Sequence, residues 1–182
     1  GMVPGPGEIS LAHHGVLFLD ELAEFRRETL EILRQPMEEH CVKLARLAGN
    51  YEFPSDFMLV AAMNPCRCGY YPDLNRCHCT KGMVEQYLKK ISQPLLDRID
   101  ICVETKRVEY QDLIKENPHQ ETSAEIRKRV VAAMERQQQR FAGTNIRYNS
   151  RIPAALLTKY CRLSTKQKQY MENIYQKLEL TA

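Results

Sequence analysis

Two adjacent carboxylates stand at the end of a short apolar run near the start of the chain. The acidic pair Asp20-Glu21 directly follows the apolar residues Leu17, Phe18 and Leu19. An unbroken apolar run of this length is typical of a strand buried on both faces of a parallel sheet, and ligands bind beyond the carboxyl ends of such strands. Asp20 is a candidate ligand for the Mg²⁺ of a bound nucleotide, and Glu21 is a candidate to orient or deprotonate an attacking water. The alternative is that the pair only caps the next helix.

A neutral amide stands at the end of the next apolar run. Residues 57–63 read Phe-Met-Leu-Val-Ala-Ala-Met and are followed by Asn64. An amide beside the γ-phosphate of a nucleotide can sense that phosphate and help to hold the attacking water. The alternative is that Asn64 only makes a turn before Pro65.

A cation precedes a third apolar run. Arg98 lies directly before residues 99–103, after a short helix that is predicted to open at Pro94. An arginine in this position can project into the phosphate site of a neighbouring subunit as an arginine finger. The alternative is a surface ion pair with Asp97 or Asp100.

Four of the seven cysteines lie in one loop as two Cys-x-Cys pairs, Cys66 with Cys68 and Cys77 with Cys79. Zn²⁺ binds four thiolates tetrahedrally in structural sites, which makes this loop a zinc candidate in which His78 could replace one thiolate. The spacing is shorter than the usual Cys-x-x-Cys, and the alternative is four free thiols that oxidise adventitiously. An odd cysteine count without a visible signal peptide argues against a disulfide scaffold and for the reducing cytosol.

The elements that must position these residues follow from hydrophobic periodicity. Three apolar runs predict three parallel strands over 15–19, 57–63 and 99–103. Alternating apolar and polar residues on both sides of a Gly-Asn turn predict a β-hairpin over 41–53. Helices are predicted over 26–35, where Pro36 interrupts or ends the helix, over 82–91, over 124–141 with Ser123 as the N-cap, and over 153–162 and 165–180.

The chain is expected to divide near residue 107 into an α/β part, 1–107, and an all-helical part, 108–182. A content of 43% hydrophobic and 27% charged residues excludes a disordered or collagen-like protein, and no apolar run is long enough for a transmembrane helix. Residues 1–100 carry a net charge of −3 and residues 101–182 a net charge of +6. The basic half is compatible with nucleic acid or nucleotide phosphates, and the alternative is a solvated helical surface.

The acidic pair, the amide and the cation follow one another in the order found in the AAA+ ATPase core. The chain is similar to the magnesium-chelatase-like AAA+ ATPases of the ComM (YifB) group, almost continuously from Pro6 to Ala182. The string from Gly7 through Glu21 is the most specific part of this resemblance. The segments that carry the resemblance are 6–13, 15–22, 59–66, 94–101 and 126–130.

The resemblance implies an α/β AAA+ core of parallel strands with a β-hairpin insert, followed by a helical lid. It implies ATP and Mg²⁺ as the bound nucleotide and metal ion, and a hexameric homo-oligomer that hydrolyses ATP. In this family pattern Asp20 and Glu21 form the Walker B element, Asn64 is sensor 1, and Arg98 is the arginine finger.

The resemblance also implies a role in handling DNA, because members of the group are linked to DNA uptake and recombination as helicase-like motors. The hairpin over 41–53 is similar to the insert that such rings carry near the pore, and Lys43 or Arg46 would be its candidate DNA contact. The expected location is the cytoplasm, without a membrane partner.

The sequence contains no G-x-x-x-x-G-K followed by Ser or Thr, the loop that cradles nucleotide phosphates. In the resembling family this loop lies upstream, so the chain is expected to be a piece of a longer protein that begins after the Walker A loop and stops before sensor 2. The isolated chain is expected not to hydrolyse ATP. Two alternatives are a non-enzymatic, zinc-containing nucleic-acid-binding module and, less well supported, a chelatase partner subunit that acts on a porphyrin.

Overall fold

The computed structural model describes residues 4–47, 49–105, 108, 110 and 121–178. The chain divides into two compact units, Gly1–Lys106 and Arg107–Ala182. The first unit combines a parallel strand pair, a β-hairpin and short helices, and the described part of the second unit is helical. The predicted mixed α/β fold class with a helical C-terminal region is therefore confirmed.

The first unit is built from short elements joined by tight turns. Its strands form two separate pairs, β1 with β4 and β2 with β3. In chain order the elements are α1 (Glu8–Leu11), β1 (Val16–Leu19), a 3-10 helix (Leu22–Glu24), α2 (Arg27–Ile32), α3 (Arg34–Glu39), β2 (Cys41–Arg46), β3 (Gly49–Pro54), β4 (Met58–Ala61), α4 (Lys81–Leu88) and α5 (Gln93–Leu96).

The parallel pair β1–β4 aligns the first two predicted apolar runs in register, from Val16 opposite Met58 to Leu19 opposite Ala61. One face of β1 packs on the core through Leu17 and Leu19. The other face is exposed, because Val16 and Phe18 retain 57% and 58% of their accessible surface. The prediction that this strand is buried on both faces is wrong for the described structure, since no described element covers the second face.

The third predicted strand, over 99–103, is not formed. Ile101 and Val103 lie in extended chain without strand pairing, and both are 77% exposed. A strand is stable only when a neighbour completes its hydrogen-bond ladder. None of the strands in the described ranges lies beside this segment, so its apolar alternation has nothing to pack against.

The helix predicted over 26–35 is broken into α2 and α3 around Leu33. Pro36 is the cause, because it lacks the N–H that would donate to the carbonyl of Ile32 and its ring crowds that carbonyl. The break therefore lies three residues before the proline. The chain regains helical geometry at once, with Pro36 buried in the first turn of α3, which continues to Glu39.

The main hydrophobic core lies directly behind the acidic pair. The first buried residue after Glu21 is Leu22, which is 3% exposed, and Ala23 beside it is fully buried. Side chains from α2, α4 and α5 surround these two residues. The buried members of this core are Leu22, Ala23, Leu30, Leu33, Tyr87, Ile91 and Leu95.

The second unit begins its longest helix, α6 (Ser123–Arg140), with a capping box. The N-cap is Thr122 rather than the predicted Ser123: the Thr122 hydroxyl accepts from the backbone N–H of Glu125, and the Glu125 carboxylate accepts from the backbone N–H of Thr122 at 2.7 Å. Two 3-10 helices (Asn149–Arg151 and Ala154–Leu156), α7 (Leu157–Tyr160) and α8 (Thr165–Leu178) follow. Among the described helices, none combines the length and the apolar character needed to cross a bilayer.

The capping box makes a pH-dependent contribution to stability. Hydrogen bonds from the backbone and the hydroxyl of Thr122 lower the pKa of Glu125 below its usual value. This contribution is present above the ordinary glutamate pKa and is lost as the pH falls through the lowered value. Glu125→Gln keeps an acceptor but does not titrate. We expect the unaltered chain to lose more thermal stability than Glu125→Gln between about pH 6 and about pH 3, measured by circular dichroism. Equal losses would contradict this assignment.

Candidate functional site

The acidic pair forms a tight turn that is held by the backbone of the neighbouring strand. The N–H of Ala62 donates to the carbonyl of Leu19, and the N–H of Leu22 donates to the carbonyl of Ala62, each at 2.9 Å. Ala62 thus forms one hydrogen bond with the residue before the acidic pair and one with the residue after it. The turn requires Glu21 to adopt a left-handed conformation with φ 50° and ψ 47°, which costs a non-glycine residue about 1–2 kcal/mol.

Both carboxylates of this turn face solvent. The Asp20 Oδ1 atom accepts the backbone N–H of Glu21 at 2.9 Å, which leaves the second oxygen of Asp20 available to a cation. Glu21 occupies the N-cap position of the 3-10 helix but its side chain makes no capping hydrogen bond. The helix-cap alternative therefore does not explain the carboxylate of Glu21.

Asn64 lies at the same end of the parallel pair as the acidic turn. The in-register pairing of Leu19 with Ala61 places Asp20 one residue and Asn64 three residues beyond the two strand ends. The Asn64 side chain is exposed, and the loop at Gly69 lies near it. A β-carbon added at Gly69 would lie 3.9 Å from the Cγ and Oδ1 atoms of Asn64.

Arg98 is held by a partner that lies far away in the sequence. Its guanidinium forms an ion pair with Glu38 of α3 and donates to the carbonyl of Pro94. The Arg98 side chain is 23% exposed, and its Nε atom is buried without a hydrogen-bond partner among the described residues. The alternative ion pairs with Asp97 and Asp100 are not the ones formed.

The two candidate DNA contacts on the hairpin differ in their surroundings. Lys43 Nζ lies 2.7 Å from Glu39 Oε2, and the contact raises the pKa of Lys43 and lowers the pKa of Glu39. Arg46 is exposed at the end of β2, opposite Gly49, and pairs with no acidic side chain of the described chain. Of the two cations, Arg46 is the one whose charge is not already balanced.

The two Cys-x-Cys pairs converge on one point. The sulfur atoms of Cys66, Cys68, Cys77 and Cys79 all lie within 4.8 Å of one another. The Cys66 side chain is fully buried, Cys77 is 8% exposed, and the other two are half-buried. This cluster could hold a metal ion. His78 is exposed and is not a member of the group, so the structure does not bring it in as a substitute ligand.

The surroundings act differently on the individual thiols. A hydrogen bond from the backbone N–H of Tyr70 lowers the pKa of Cys68 to about 6. The backbone N–H of Cys79 also favours the thiolate of Cys77, but burial and the adjacent sulfurs raise the pKa of Cys77 to about 12. Four thiolates at this spacing repel one another, so they cannot all ionise without a neighbouring cation.

Helix α4 connects the cysteine cluster to the core behind the acidic turn. Val84 packs on Cys66 and Cys77, and Tyr87, one turn later, belongs to the main core. Burial raises the pKa of Tyr87, and the negative charges of Glu24, Cys66 and Glu21 add to this effect. The cluster and the core behind the acidic turn therefore contact successive turns of one short helix.

Two domain matches decide the family. Residues 1–113 match the family described as magnesium chelatase, subunit ChlI, and residues 120–182 match the family described as magnesium chelatase, subunit ChlI C-terminal. The chain belongs to the ChlI family. Membership in this AAA+ ATPase family confirms the resemblance inferred from the motif strings.

Curated relatives of this ChlI-family chain come from several bacteria. The uncharacterized protein YifB of Salmonella typhimurium is 40% identical over 173 residues, which cover 95% of this chain and 33% of that protein. YifB of Escherichia coli is 41% identical over 172 residues, covering 94% and 33%. The competence protein ComM of Haemophilus influenzae is 38% identical over 181 residues, covering 100% and 35%. The chain spans about a third of the length of these relatives.

The structure of the ChlI-family chain places the predicted residues in four groups. They are the strand-end group of Asp20, Glu21 and Asn64, the cysteine cluster, Arg98 with its partner, and the hairpin cations Lys43 and Arg46. Glu38 is the residue that sequence reasoning missed. It stands in an amphipathic stretch with three other glutamates nearby, and nothing in the spacing singles it out as the partner of an arginine 60 positions later.

The Arg98–Glu38 ion pair predicts a measurable coupling in the isolated chain. We expect a double-mutant cycle with Arg98→Met and Glu38→Gln to give a coupling free energy of about 0.5–1 kcal/mol in urea unfolding, because both side chains are only partly exposed. The control cycle uses the more open Lys90–Glu24 pair, 3.6 Å apart, and should give a smaller value. Additive effects of the Arg98 and Glu38 substitutions would contradict the pairing.

Proposed function

We propose that the chain is part of an AAA+ motor that hydrolyses ATP in order to remodel or translocate DNA. The observation that carries the proposal is the in-register pairing of β1 and β4, which brings the ends of the two strands bearing Asp20, Glu21 and Asn64 to one edge. Ligands of α/β sheets bind at this edge. Because the chain spans only a third of its relatives, the proposal concerns the longer protein to which this piece contributes.

The donor groups of the acidic turn fit a magnesium ion. The Asp20 carboxylate is exposed and keeps one oxygen outside its local hydrogen bond, and Mg²⁺ takes one or two carboxylates together with waters and phosphate oxygens. A bound Mg²⁺ would neutralise charge on the nucleotide phosphates. Asp20 is the residue proposed to hold it.

The remaining strand-end residues are proposed to act on the water and the γ-phosphate. Glu21, held with its carboxylate in solvent by the strained turn, would orient or deprotonate the attacking water as a Walker B glutamate. Asn64 would donate to the γ-phosphate as sensor 1. Its side chain is exposed and therefore accessible to a nucleotide at this edge.

Arg98 is proposed to act on the nucleotide of a neighbouring subunit in a hexameric ring. An arginine finger stabilises the charge that develops on the transferred phosphoryl group. In the isolated chain this guanidinium is paired with Glu38, so engagement of the phosphate exchanges one anionic partner for another. Arg98 therefore has an anionic partner both with and without the nucleotide, which avoids the free-energy cost of burying an unpaired charge.

The hairpin of β2 and β3 is proposed to contact DNA through Arg46. The relative from Haemophilus influenzae is named a competence protein, and the resemblance to its group implies a motor that handles DNA. A non-enzymatic nucleic-acid-binding module does not account for the strained acidic turn. We place this activity in the cytoplasm.

Hydrolysis of ATP tests the motor proposal directly. We expect a chain extended upstream through a Walker A loop and downstream past Ala182 to hydrolyse Mg-ATP, and the 182-residue chain to show no saturable turnover. In the extended chain, Glu21→Gln and Arg98→Ala should each lower kcat by at least about a hundredfold, because each removes a group that acts in the transition state.

The matched controls are Glu28→Gln and Arg27→Ala, which remove exposed side chains of the same types from α2. Both should retain nearly full turnover. Turnover by the 182-residue chain that disappears with Glu21→Gln would show that the piece is sufficient alone. An extended chain that binds but never hydrolyses ATP would refute the motor proposal.

The different surroundings of the hairpin cations predict unequal effects on DNA binding. We expect Arg46→Ala in the extended chain to weaken DNA binding and to reduce the slope of log K against log salt by about 0.7–0.9, as expected for the loss of one phosphate contact. Lys43→Ala should have a much smaller effect, because Glu39 already balances that charge. Fluorescence anisotropy over a range of salt concentrations measures both slopes. Equal effects would show that the Lys43–Glu39 pair opens on DNA.

A further inference from the structure

The proposed nucleotide site leaves the cysteine cluster without a role. The cluster is closed rather than surface-exposed: Cys66 and Cys77 are buried, and Val84 of α4 packs against them. Two other cysteines, Cys102 and Cys161, are exposed and stand alone. Two of the four sulfurs are buried and two are half-buried, and a bound cation would remove the repulsion that arises when more than one of them ionises.

The distances between the sulfurs have the scale of a single tetrahedral ion. The Cys66 sulfur lies 3.4 Å from that of Cys68 and 3.8 Å from that of Cys77, and the sulfurs of Cys68 and Cys77 are 3.6 Å apart. Four sulfurs placed tetrahedrally at about 2.3 Å from a zinc ion are separated by about 3.8 Å. Sulfurs joined in disulfides would be about 2.0 Å apart. In a polynuclear iron–sulfur cluster the four thiolates are divided between different iron atoms, so that some pairs lie farther apart than in a site with one ion.

The first Cys-x-Cys pair is shaped by a turn that only glycine accommodates without strain. The N–H of Gly69 donates to the carbonyl of Cys66 at 3.0 Å, and Gly69 has a φ of 81°. This turn, over residues 66–69, contains both cysteines of the first pair.

The second pair is positioned by an aspartate turn and a helix cap. The Asp73 carboxylate accepts the N–H of Asn75 at 3.1 Å, and its carbonyl accepts the N–H of Cys77 at 2.8 Å. Just after Cys79, the hydroxyl of Thr80 caps α4 by accepting the N–H of Met83. The loop thus enters and leaves the cluster through defined hydrogen bonds.

We propose that Cys66, Cys68, Cys77 and Cys79 bind one structural Zn²⁺ ion. Thiolates are soft ligands, and a closed tetrahedral site of four sulfurs without an open position is the arrangement of structural zinc sites. The ion removes the repulsion between neighbouring thiolates. It requires no oxidant or reductant, because Zn²⁺ has no redox chemistry.

The zinc ion would order two segments that lead away from the cluster. On one side, Cys66 follows Asn64 by two residues, and a β-carbon added at Gly69 would lie 3.9 Å from the Asn64 side chain. On the other side, Val84 joins α4 to the cluster while Tyr87 of the same helix lies in the main core. Loss of the ion therefore loosens the loop after β4 and the start of α4, whether or not Asn64 contacts a nucleotide.

Metal analysis of the 182-residue chain tests the proposal without reference to ATP. The chain is purified under reducing conditions without chelators, and its metals are measured by inductively coupled plasma mass spectrometry. We expect about one zinc per chain, because structural sites bind Zn²⁺ tightly. A value below about 0.2 zinc per chain, stoichiometric iron, or two disulfides in place of metal would overturn the proposal.

Cobalt replacement reports the ligand set in the same chain. The Co²⁺-substituted chain should show the strong visible bands of tetrahedral coordination together with sulfur-to-cobalt charge-transfer absorption in the near ultraviolet. Weak octahedral bands would overturn the tetrathiolate assignment.

Serine substitutions test whether the cluster cysteines are the residues that bind the zinc. Cys68→Ser and Cys79→Ser alter the two half-buried ligands and should each lower bound zinc at least about fivefold after gel filtration. The matched controls Cys102→Ser and Cys161→Ser alter exposed cysteines and should leave the zinc content unchanged. Equal zinc loss in controls and cluster variants would overturn the assignment.

Hydrogen exchange tests the effect of the ion on its neighbours. Removal of zinc should speed amide exchange across residues 64–88 and leave the hairpin of β2 and β3, which supplies no cysteine to the cluster, unchanged as an internal control. Unchanged exchange in 64–88 would overturn the claim that zinc orders this segment. This measurement uses no nucleotide. Its result therefore tests the zinc proposal independently of the ATPase proposal, and the ATPase assay does not test the zinc proposal.

Discussion

The parallel ladder between β1 and β4 is the constraint on which the rest of the first unit depends. Ala62 accepts from one side of the acidic turn and donates to the other, so the strand that carries Asn64 also shapes the turn of Asp20 and Glu21. The left-handed residue Glu21 lies between the two residues that form these hydrogen bonds. Buried Leu22 anchors the exit of the turn, so that strand pairing and core packing together hold the carboxylates in solvent.

A single short helix connects the two chemically distinct parts of this unit. The first turns of α4 contact the cysteine cluster through Val84, and its next turn contacts the core through Tyr87. Interiors are closely packed, so a shift of one end of such a helix is felt at the other. The proposed zinc site and the core behind the proposed nucleotide site would thus both pack on α4, although the two sites have no residue in common.

Local pairing decides which charged groups are available for binding. Glu39 balances Lys43 and leaves Arg46 as the uncompensated cation of the hairpin. Glu38 holds Arg98 in a partly buried position, whereas the sequence offered Asp97 and Asp100 as its possible ion-pair partners. In both cases an acidic residue of α3, which no motif singles out, sets the state of a cation in another element.

The sequence by itself determined the α/β class, the hairpin, the two strands that end in polar residues, the cysteine pairs and the family, because these depend on local periodicity and short motifs. It could not determine the exposed face of β1, the missing strand over 99–103, or the pairing of Arg98 with Glu38. A burial pattern in sequence shows which residues can be covered, and only the folded chain shows whether a neighbour covers them. Only tertiary packing decided the contacts between elements that are distant in sequence, because no local pattern or motif identifies which residues will meet.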